Sequence, residues 1–491
     1  MAAYPDTKLL IDGELRTAEG GAAYPDISPW TGEEIGRAAD ASLGDLDKAI
    51  AAARRAFDKT DWPTDHAKRV ATLRRYADVI RASRDRFAAI ARDEVGAAGA
   101  TVYSAQCDWP LGMLDYMVKL ASEYHWEEDI GVSEIWGMKS RRKVWKEPVG
   151  VVAAITPWNV PTQINIAKIF PALAAGCTVI LKPAPETPML GALLGELAVE
   201  AGLPAGVFNL ITSAAPVEIG EALVKDPRVD SISFTGSTAT GKRIMANASE
   251  KLTRVFLELG GKSASIILDD LDEAGFARAV NGAAMVVFNA GQGCASLTRL
   301  LVPRARYAEA VNILKSAFEA FEYGDPNSPM QIMGPLISER QRQRVLNYIE
   351  IGKQEGATLV TGGEIPPQHP KGFFVQPTLF ADVTNDMRIA QEEIFGPVLV
   401  VIAFEDDEDA ISIANDSVYG LSGAVSAQSM ERALKVARGV RTGTFGINGG
   451  IWFGGDSPFG GFKQSGIGRE MGVAGFEEYL ELKTVAMPET A

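Results

Sequence analysis

From Gly150 onward the chain reads as short, almost wholly apolar runs separated by helical stretches, and this alternation restricts the fold more than any other feature. GVVAAITPW, CTVILKPA, GVFNLIT and VDSISFTGS have the composition of strands buried on both faces. Between the first two lies TQINIAKIFPALAAG, a helix ended by Gly176, and after the second comes the helix MLGALLGELAVEAG. Apolar strands alternating with helices give a parallel sheet covered on both faces. The rhythm resumes after Leu259 with SASIILDD, a helix, TRLLVP, a helix and ATLVTGG. The expected class is α/β, with two parallel-sheet halves joined near Leu259 to Lys262.

The N-terminal part is different. ASLGDLDKAIAAARRAF predicts an amphipathic helix opened at Ser42, with Asp45 closing a capping box. EIWGMKSRRKVWKEPVG is basic, rich in Trp and β-branched residues, and reads as a β-hairpin leaving the main body. A length of 491 residues predicts roughly three domains. The formal charge of −15 excludes the basic footprint of a nucleic-acid binder and disfavours anionic membranes. No apolar run reaches a membrane span, and MAAYPDTKLLIDGE lacks the pattern of a signal peptide. Three scattered cysteines (Cys107, Cys177, Cys294) form neither a disulfide framework nor a zinc site, so no metal is expected and the compartment is the reducing cytoplasm. His66, His125 and His369 stand in no catalytic context.

Cys294, in FNAGQGCASLTRLLV, follows a helical run and a Gly-Gln-Gly that leaves a thiol uncrowded. A free cysteine is more often a small buried hydrophobe, a description that suits Cys107 and Cys177. Glu258 ends the strand TRVFLELGG; a carboxylate there is a base toward water or an exposed alternation position. In TPWNVP, Asn159 falls just past a buried parallel strand, where open α/β sheets bind ligands and an amide can donate to an oxyanion. The alternative is turn chemistry. FTGSTATGKR nearly matches a P-loop, but Arg243 stands where Mg²⁺ needs a hydroxyl. The helix start can still take a pyrophosphate through Ser237, although no G-x-G-x-x-G is present. Lys182, at a strand's carboxyl end, is a donor to ribose hydroxyls or a solvated surface lysine.

Together PWN, LKPAPETP, FTGST, LELGGK, GQGC, EEIFGPV and PFGGFKQSGIGRE, in this order over nearly the whole chain, closely resemble the aldehyde dehydrogenase superfamily. The resemblance implies a Rossmann-like cofactor domain (1–127 and 149–260), a catalytic domain (261–464) and a small β oligomerisation extension (128–148 and 465–491). It makes Cys294 the nucleophile, Glu258 the general base and Asn159 the oxyanion donor with the Cys294 N–H, and matches Lys168 to a structural lysine of the same machinery. The cofactor residues it implies are Thr156, Pro157, Trp158, Lys182, Gly236, Ser237, Leu259, Glu393 and Phe395. The implied reaction is oxidation of an aldehyde to its acid through a thiohemiacetal and a thioester, with NAD as cofactor. Glu258 favours hydrolysis over transfer to coenzyme A.

Two positions depart from the family pattern. Pro185 stands where NAD-preferring members often carry Glu, with Glu186 one residue on, so a 2′-phosphate meets no carboxylate there and NADP stays open. Gly293 replaces a bulkier neighbour of the nucleophile and should widen the pocket. The positions matching the substrate tunnel are Val160, Ile164, Ala167, Phe288, Gly293, Ala295, Trp452, Phe453 and Phe459, joined by Met113 and Tyr116; none is charged. An apolar aliphatic, terpenoid or aromatic aldehyde fits them better than a dicarboxylic semialdehyde or betaine aldehyde. The resemblance also implies a homodimer or homotetramer, with the hairpin and the tail EEYLELKTVAM crossing between subunits. An esterase acting through the same thiol, and a non-catalytic structural protein on this fold, are the competing readings.

Overall fold

The computed structural model describes residues 3–489; the first two and last two positions of the expected terminal segments lie outside them. Two sheets carry the architecture. The first has eight strands in the order Gly466–Ile467, Arg254–Glu258, Ser231–Thr235, Val151–Ile155, Thr178–Lys182, Phe208–Leu210, Leu9–Ile11, Glu14–Arg16. Its five central strands are parallel, and the edge strands run antiparallel. Residues 151–154 have no exposed surface, because helices cover both faces. This is the burial the apolar runs predict.

Val151–Ile155 lies between Thr178–Lys182, which follows it in the chain, and Ser231–Thr235, which comes two strands later. The order of connection therefore reverses beside this strand, and the carboxyl ends of the strands open a crevice there. Pro161–Ala175 is the helix that leaves that crevice. Pro161 occupies its first turn, and Gly176 ends it at φ 103°, with its N–H bonded to Ala172 and Leu173. It is apolar on nearly every side and almost entirely buried, as a helix packed on all faces must be.

The second sheet has seven strands: Thr358–Thr361, Thr378–Ala381, Val398–Phe404, Arg299–Pro303, Ala264–Ile267, Gly423–Ser426, Gly446–Ile447. All neighbours are parallel except the first pair, so ATLVTGG forms an antiparallel edge. The chain passes from one sheet to the other between Glu258 and Ala264, at the junction read from the sequence.

The expected hairpin is Glu127–Ile135 and Met138–Pro148, turning through Trp136 and Gly137 at φ 53° and 77°. The tail does add a strand, but to its own chain: Leu480–Pro488 runs antiparallel to Met138–Pro148. Before reaching it, the segment from Gly466 edges the first sheet, and helix Gly472–Glu477 packs on Pro161–Ala175. The helix Leu43–Lys59 begins with the predicted Ser42–Asp45 capping box. Among the described residues, no helix is long and apolar enough to cross a membrane.

Candidate active site

A cavity of about 840 Å³ opens where the two sheets meet, and Cys294, Glu258 and Asn159 all line it. Each arrives by a different route. Glu258 is the last residue of Arg254–Glu258, on the first sheet. Asn159 sits in the turn between Val151–Ile155 and helix Pro161–Ala175. Cys294 comes from the second half of the chain, after helix Glu273–Ala283 and a tight 3-10 segment.

That segment folds back sharply. Asn289, Ala290 and Gly291 adopt consecutive positive φ values of 52°, 54° and 71°. A Cβ on Gly291 would run into the Gly396 carbonyl. Polar side chains lock the turn. Asn289 Nδ2 donates to the Asn159 carbonyl (3.1 Å), and Gln106 Nε2 donates to the same oxygen (2.7 Å). Asn159 Nδ2 donates to the Gln292 carbonyl (3.0 Å), leaving its second N–H for the cavity. Gln292 Oε1 accepts from Ile337 N–H (2.9 Å). The oxyanion-donor candidate and the nucleophile loop are thus one hydrogen-bonded unit.

The two glycines after Glu258 do not serve a turn needing positive φ; they permit close approach. A Cβ on Gly261 would lie 2.7 Å from the Cys294 carbonyl oxygen, and one on Gly260 would lie 2.5 Å from Glu393 Oε2. Bare backbone lets the base strand, the nucleophile loop and Glu393 converge.

The electrostatics are those of a dry, acidic pocket. Burial pushes the Cys294 thiol well above its usual value, and the charges of Glu258 and Glu393 push it further. Glu258 is buried, with neither carboxylate oxygen hydrogen-bonded, so the exposed-alternation reading fails. Its pKa is raised, first by burial and then by Glu470, while Lys168 and Arg469 oppose. Lys168 lies off the cavity. Its Nζ donates to Glu470 Oε1 (2.9 Å) and Ser233 Oγ (3.1 Å), so its hydrogen-bonded link to the site runs through Glu470 while its charge also acts on Glu258. Glu470 lines the cavity and went unassigned in the sequence, where it is only the last letter of SGIGRE.

The dinucleotide candidates gather along the carboxyl ends of the first sheet. Lys182 ends its strand, and burial lowers its pKa to about 8, with Glu186 opposing, so the solvated-lysine reading fails. Glu186 pairs with Arg340 (2.8 Å) one residue past Pro185. Gly236 and Ser237 form the short turn into helix Thr238–Ser249, and Ser237 Oγ caps it by accepting from Thr240 N–H. Only two residues separate strand and helix, while Gly241 lies inside the helix against Leu259. No phosphate-wrapping loop exists, which removes the P-loop reading. Thr156 Oγ1 and Thr238 Oγ1 are buried without a partner. Trp158 meets Phe395 edge-on at 5.3 Å, beside Pro157 in the same turn. Glu393 is half-buried and accepts from Gly261 N–H (3.0 Å). Orphaned hydroxyls, a buried cation and a free helix start at a switch point fit a dinucleotide.

Of the tunnel positions, Val160, Ile164, Phe288 and Gly293 line the cavity, as do Ala295, Trp452, Phe453 and Phe459. Met113 and Ala167 do not: they are buried in the core of the first domain, and Tyr116 also lies behind the wall. Helix Asp108–Glu123 turns its apolar face inward, so the wall is reached by Trp109 at its start, within 5.8 Å of Phe453. Gln163 and one face of helix Glu273–Ala283 also line the cavity and were missed. The lining is not free of charge, since Arg278 stands on that helix face. A spacing of three and four residues leading toward Cys294 was the available signal.

The sequence model of the Aldehyde dehydrogenase family matches residues 16–485. The geranial dehydrogenase of Castellaniella defragrans is 42% identical over 94% of each chain. A Mycobacterium tuberculosis aldehyde dehydrogenase complexed with NAD+ superposes with a TM-score of 0.94 at 43% identity, covering 99% of both chains. A Pseudomonas syringae aldehyde dehydrogenase, a Cys-to-Ala mutant complexed with NAD+ and octanal, gives 0.91 at 39% identity, covering 98% of this chain and 96% of that one.

Proposed function

The chain belongs to the aldehyde dehydrogenase family, and we propose that it oxidises an apolar aliphatic, terpenoid or aromatic aldehyde to the acid with NAD(P)+ through Cys294. The carrying observation is that one cavity, walled by Trp109, Trp452, Phe453 and Phe459, contains a thiol, an unpartnered carboxyl and a free amide N–H. Relatives named for geranial and solved with octanal support the substrate class.

The balance is RCHO + NAD+ + H2O → RCOO⁻ + NADH + 2 H+. The Cys294 thiol rests protonated, and its proton must leave as sulfur attacks the carbonyl carbon. Glu258, unpartnered in the same cavity, is the acceptor at hand. The oxygen of the adduct takes up negative charge, which Asn159 Nδ2 and the Cys294 N–H stabilise. Lys182, Glu393 and the start of helix Thr238–Ser249 would hold NAD+, which would supply the hydride acceptor. Glu258 gives the first proton to solvent and then deprotonates the water that attacks the thioester on Cys294; as the C–S bond breaks, that second proton returns to sulfur and the acid leaves as carboxylate, releasing its own proton. A base with a raised pKa takes that proton more readily than an exposed carboxylate. Lys168 acts as a positioning residue, fixing Glu470 against the base.

NAD+ is the cofactor of the neighbours, and Pro185 with an engaged Glu186 leaves room for the 2′-phosphate of NADP+. Residues 1–127 with 149–260 form the cofactor domain and 261–464 the catalytic domain. The three-stranded sheet is the oligomerisation surface of a homodimer or homotetramer. Its exposed Ile130, Val132, Ile135 and Leu482 support that assignment. Three unpaired cysteines suit a reducing compartment such as the cytoplasm.

The test is NAD(P)H absorbance over a panel of aliphatic, aromatic, terpenoid and acidic aldehydes with each cofactor. Wild type should reduce the cofactor and Cys294→Ala should not. Equal turnover by Cys294→Ala would sink the reading.

A further inference from the structure

The cavity extends well beyond the reacting groups. At about 840 Å³ it is at the upper end of drug-sized ligand clefts, roughly 300–1,000 Å³. Helix Glu273–Ala283 forms one of its walls. Gly275, Arg278, Ala279 and Gly282 recur at the three- and four-residue spacing of one helix face, and all line it. Ser426 and Asn448, on and just after the last strands of the second sheet, line it too. A Cβ on Gly282 would meet nothing within 4 Å, so this face borders open space.

The charged groups of this cavity differ in burial. Glu258 and Glu470 are buried. Arg278 is the cavity's cation and is exposed, and among the described residues it has no ionic partner and no side-chain hydrogen bond. Neighbouring arginines are engaged: Arg304 pairs with Glu405, and Arg306 with Glu309. A guanidinium at a groove's end, with apolar and small residues between it and a nucleophile, selects length and terminal charge together.

We infer that this chain prefers long aldehydes whose far end carries a carboxylate, which Arg278 receives while the hydrocarbon lies along the Gly282 face. The inference rests on the proposed oxidation at Cys294 and departs from the apolar substrate class given with it by adding a terminal carboxylate. It revises the expectation that an acidic terminus finds no partner.

Azelaic semialdehyde, nonanal and propanal separate the contributions. In the wild type, kcat/KM should rank azelaic semialdehyde above nonanal, and added salt should erode the difference. Arg278→Gln should lower the ratio of azelaic semialdehyde to nonanal roughly tenfold, the low end for a charge-assisted contact because the site is exposed. Gly282→Leu, which puts a side chain into the groove and suits a helix better than glycine, should lower the ratio of nonanal to propanal. A ratio unmoved by Arg278→Gln would overturn the inference. Calorimetric binding of azelate against nonanoate keeps it independent of turnover. If no aldehyde is oxidised yet azelate binds more tightly to wild type than to Arg278→Gln, the reaction falls and the groove assignment stands. Equal binding of the two acids to wild type overturns the groove assignment itself.

Discussion

Lys182 offers the most quantitative test of how the cofactor site is built. Its side chain is 3% exposed, and burial brings its pKa from 10.5 to about 8. A base whose pKa falls on folding binds its proton more weakly in the native state than in the unfolded chain. The destabilisation is therefore fully present below about pH 8 and fades as pH rises toward 10.5. Each tenfold change in proton affinity is worth about 1.36 kcal/mol, so the cost near neutral pH is about 3 kcal/mol. Lys182→Met keeps the length of the side chain and removes the charge. Denaturant unfolding should find it more stable than wild type by about 3 kcal/mol near pH 7 and by only about 1 kcal/mol near pH 10. Calorimetry should find weaker NAD+ binding, because the ribose loses its cationic donor. A variant less stable than wild type near neutral pH would refute the reasoning: it would mean the ammonium is well satisfied in the native state.

Glu258→Gln, which removes the acceptor of both protons, should slow the burst of NADH and slow steady turnover by roughly 10²–10⁴, with acyl-enzyme detectable by mass. In the wild type, deacylation should rise with pH through a value above the usual carboxylate range; stability should fall as pH climbs from the usual carboxylate range up to that value and level off once the buried carboxyl ionises, and both effects should vanish in the variant. Asn159→Ala should lower kcat by roughly 10²–10³ with little change in unfolding midpoint, because the Gln292 carbonyl keeps Asn289 Nδ2 as a donor. Gly291→Ala should cut activity sharply with cofactor affinity retained. It combines a positive φ with a clash on the Gly396 carbonyl, and both act on the nucleophile loop.

Much of the first sheet was legible because its strands are buried on both sides and bounded by Pro and Gly, so composition and position agree. The second sheet was read only as far as ATLVTGG. Its later strands, Thr378–Ala381, Val398–Phe404, Gly423–Ser426 and Gly446–Ile447, are short or lie among loop residues whose pairing is fixed by distant partners. Cys294, Glu258 and Asn159 were singled out because each sits in a distinctive local setting, and the fold brings all three to one cavity. Glu470 was not, although it closes the motif PFGGFKQSGIGRE, and Arg278 was not, because nothing beside it in sequence marks it; only folding brings them to the cavity. Met113 and Ala167 were misplaced for the converse reason. They are apolar residues on helices that touch the site, and one turn of rotation decides between wall and core. The tail's alternation announced an edge strand without saying whose edge it joins.

The passage between the two sheets has a mechanical consequence. Leu259 N–H is held by the Ser465 carbonyl (2.9 Å), the Gly260 carbonyl by Ser465 Oγ (2.7 Å) and Gly261 N–H by Glu393. The tether that joins the two sheets is thus clamped within a few residues of Glu258, its first neighbour on one side, and against Cys294 on the other. Hinge motion here cannot be absorbed by slack in the chain; it must change the spacing of base and nucleophile. A linker that elsewhere would tolerate added residues is, in this molecule, the gauge that sets a reaction distance, and lengthening it should uncouple hydrolysis from acylation while leaving both sheets folded.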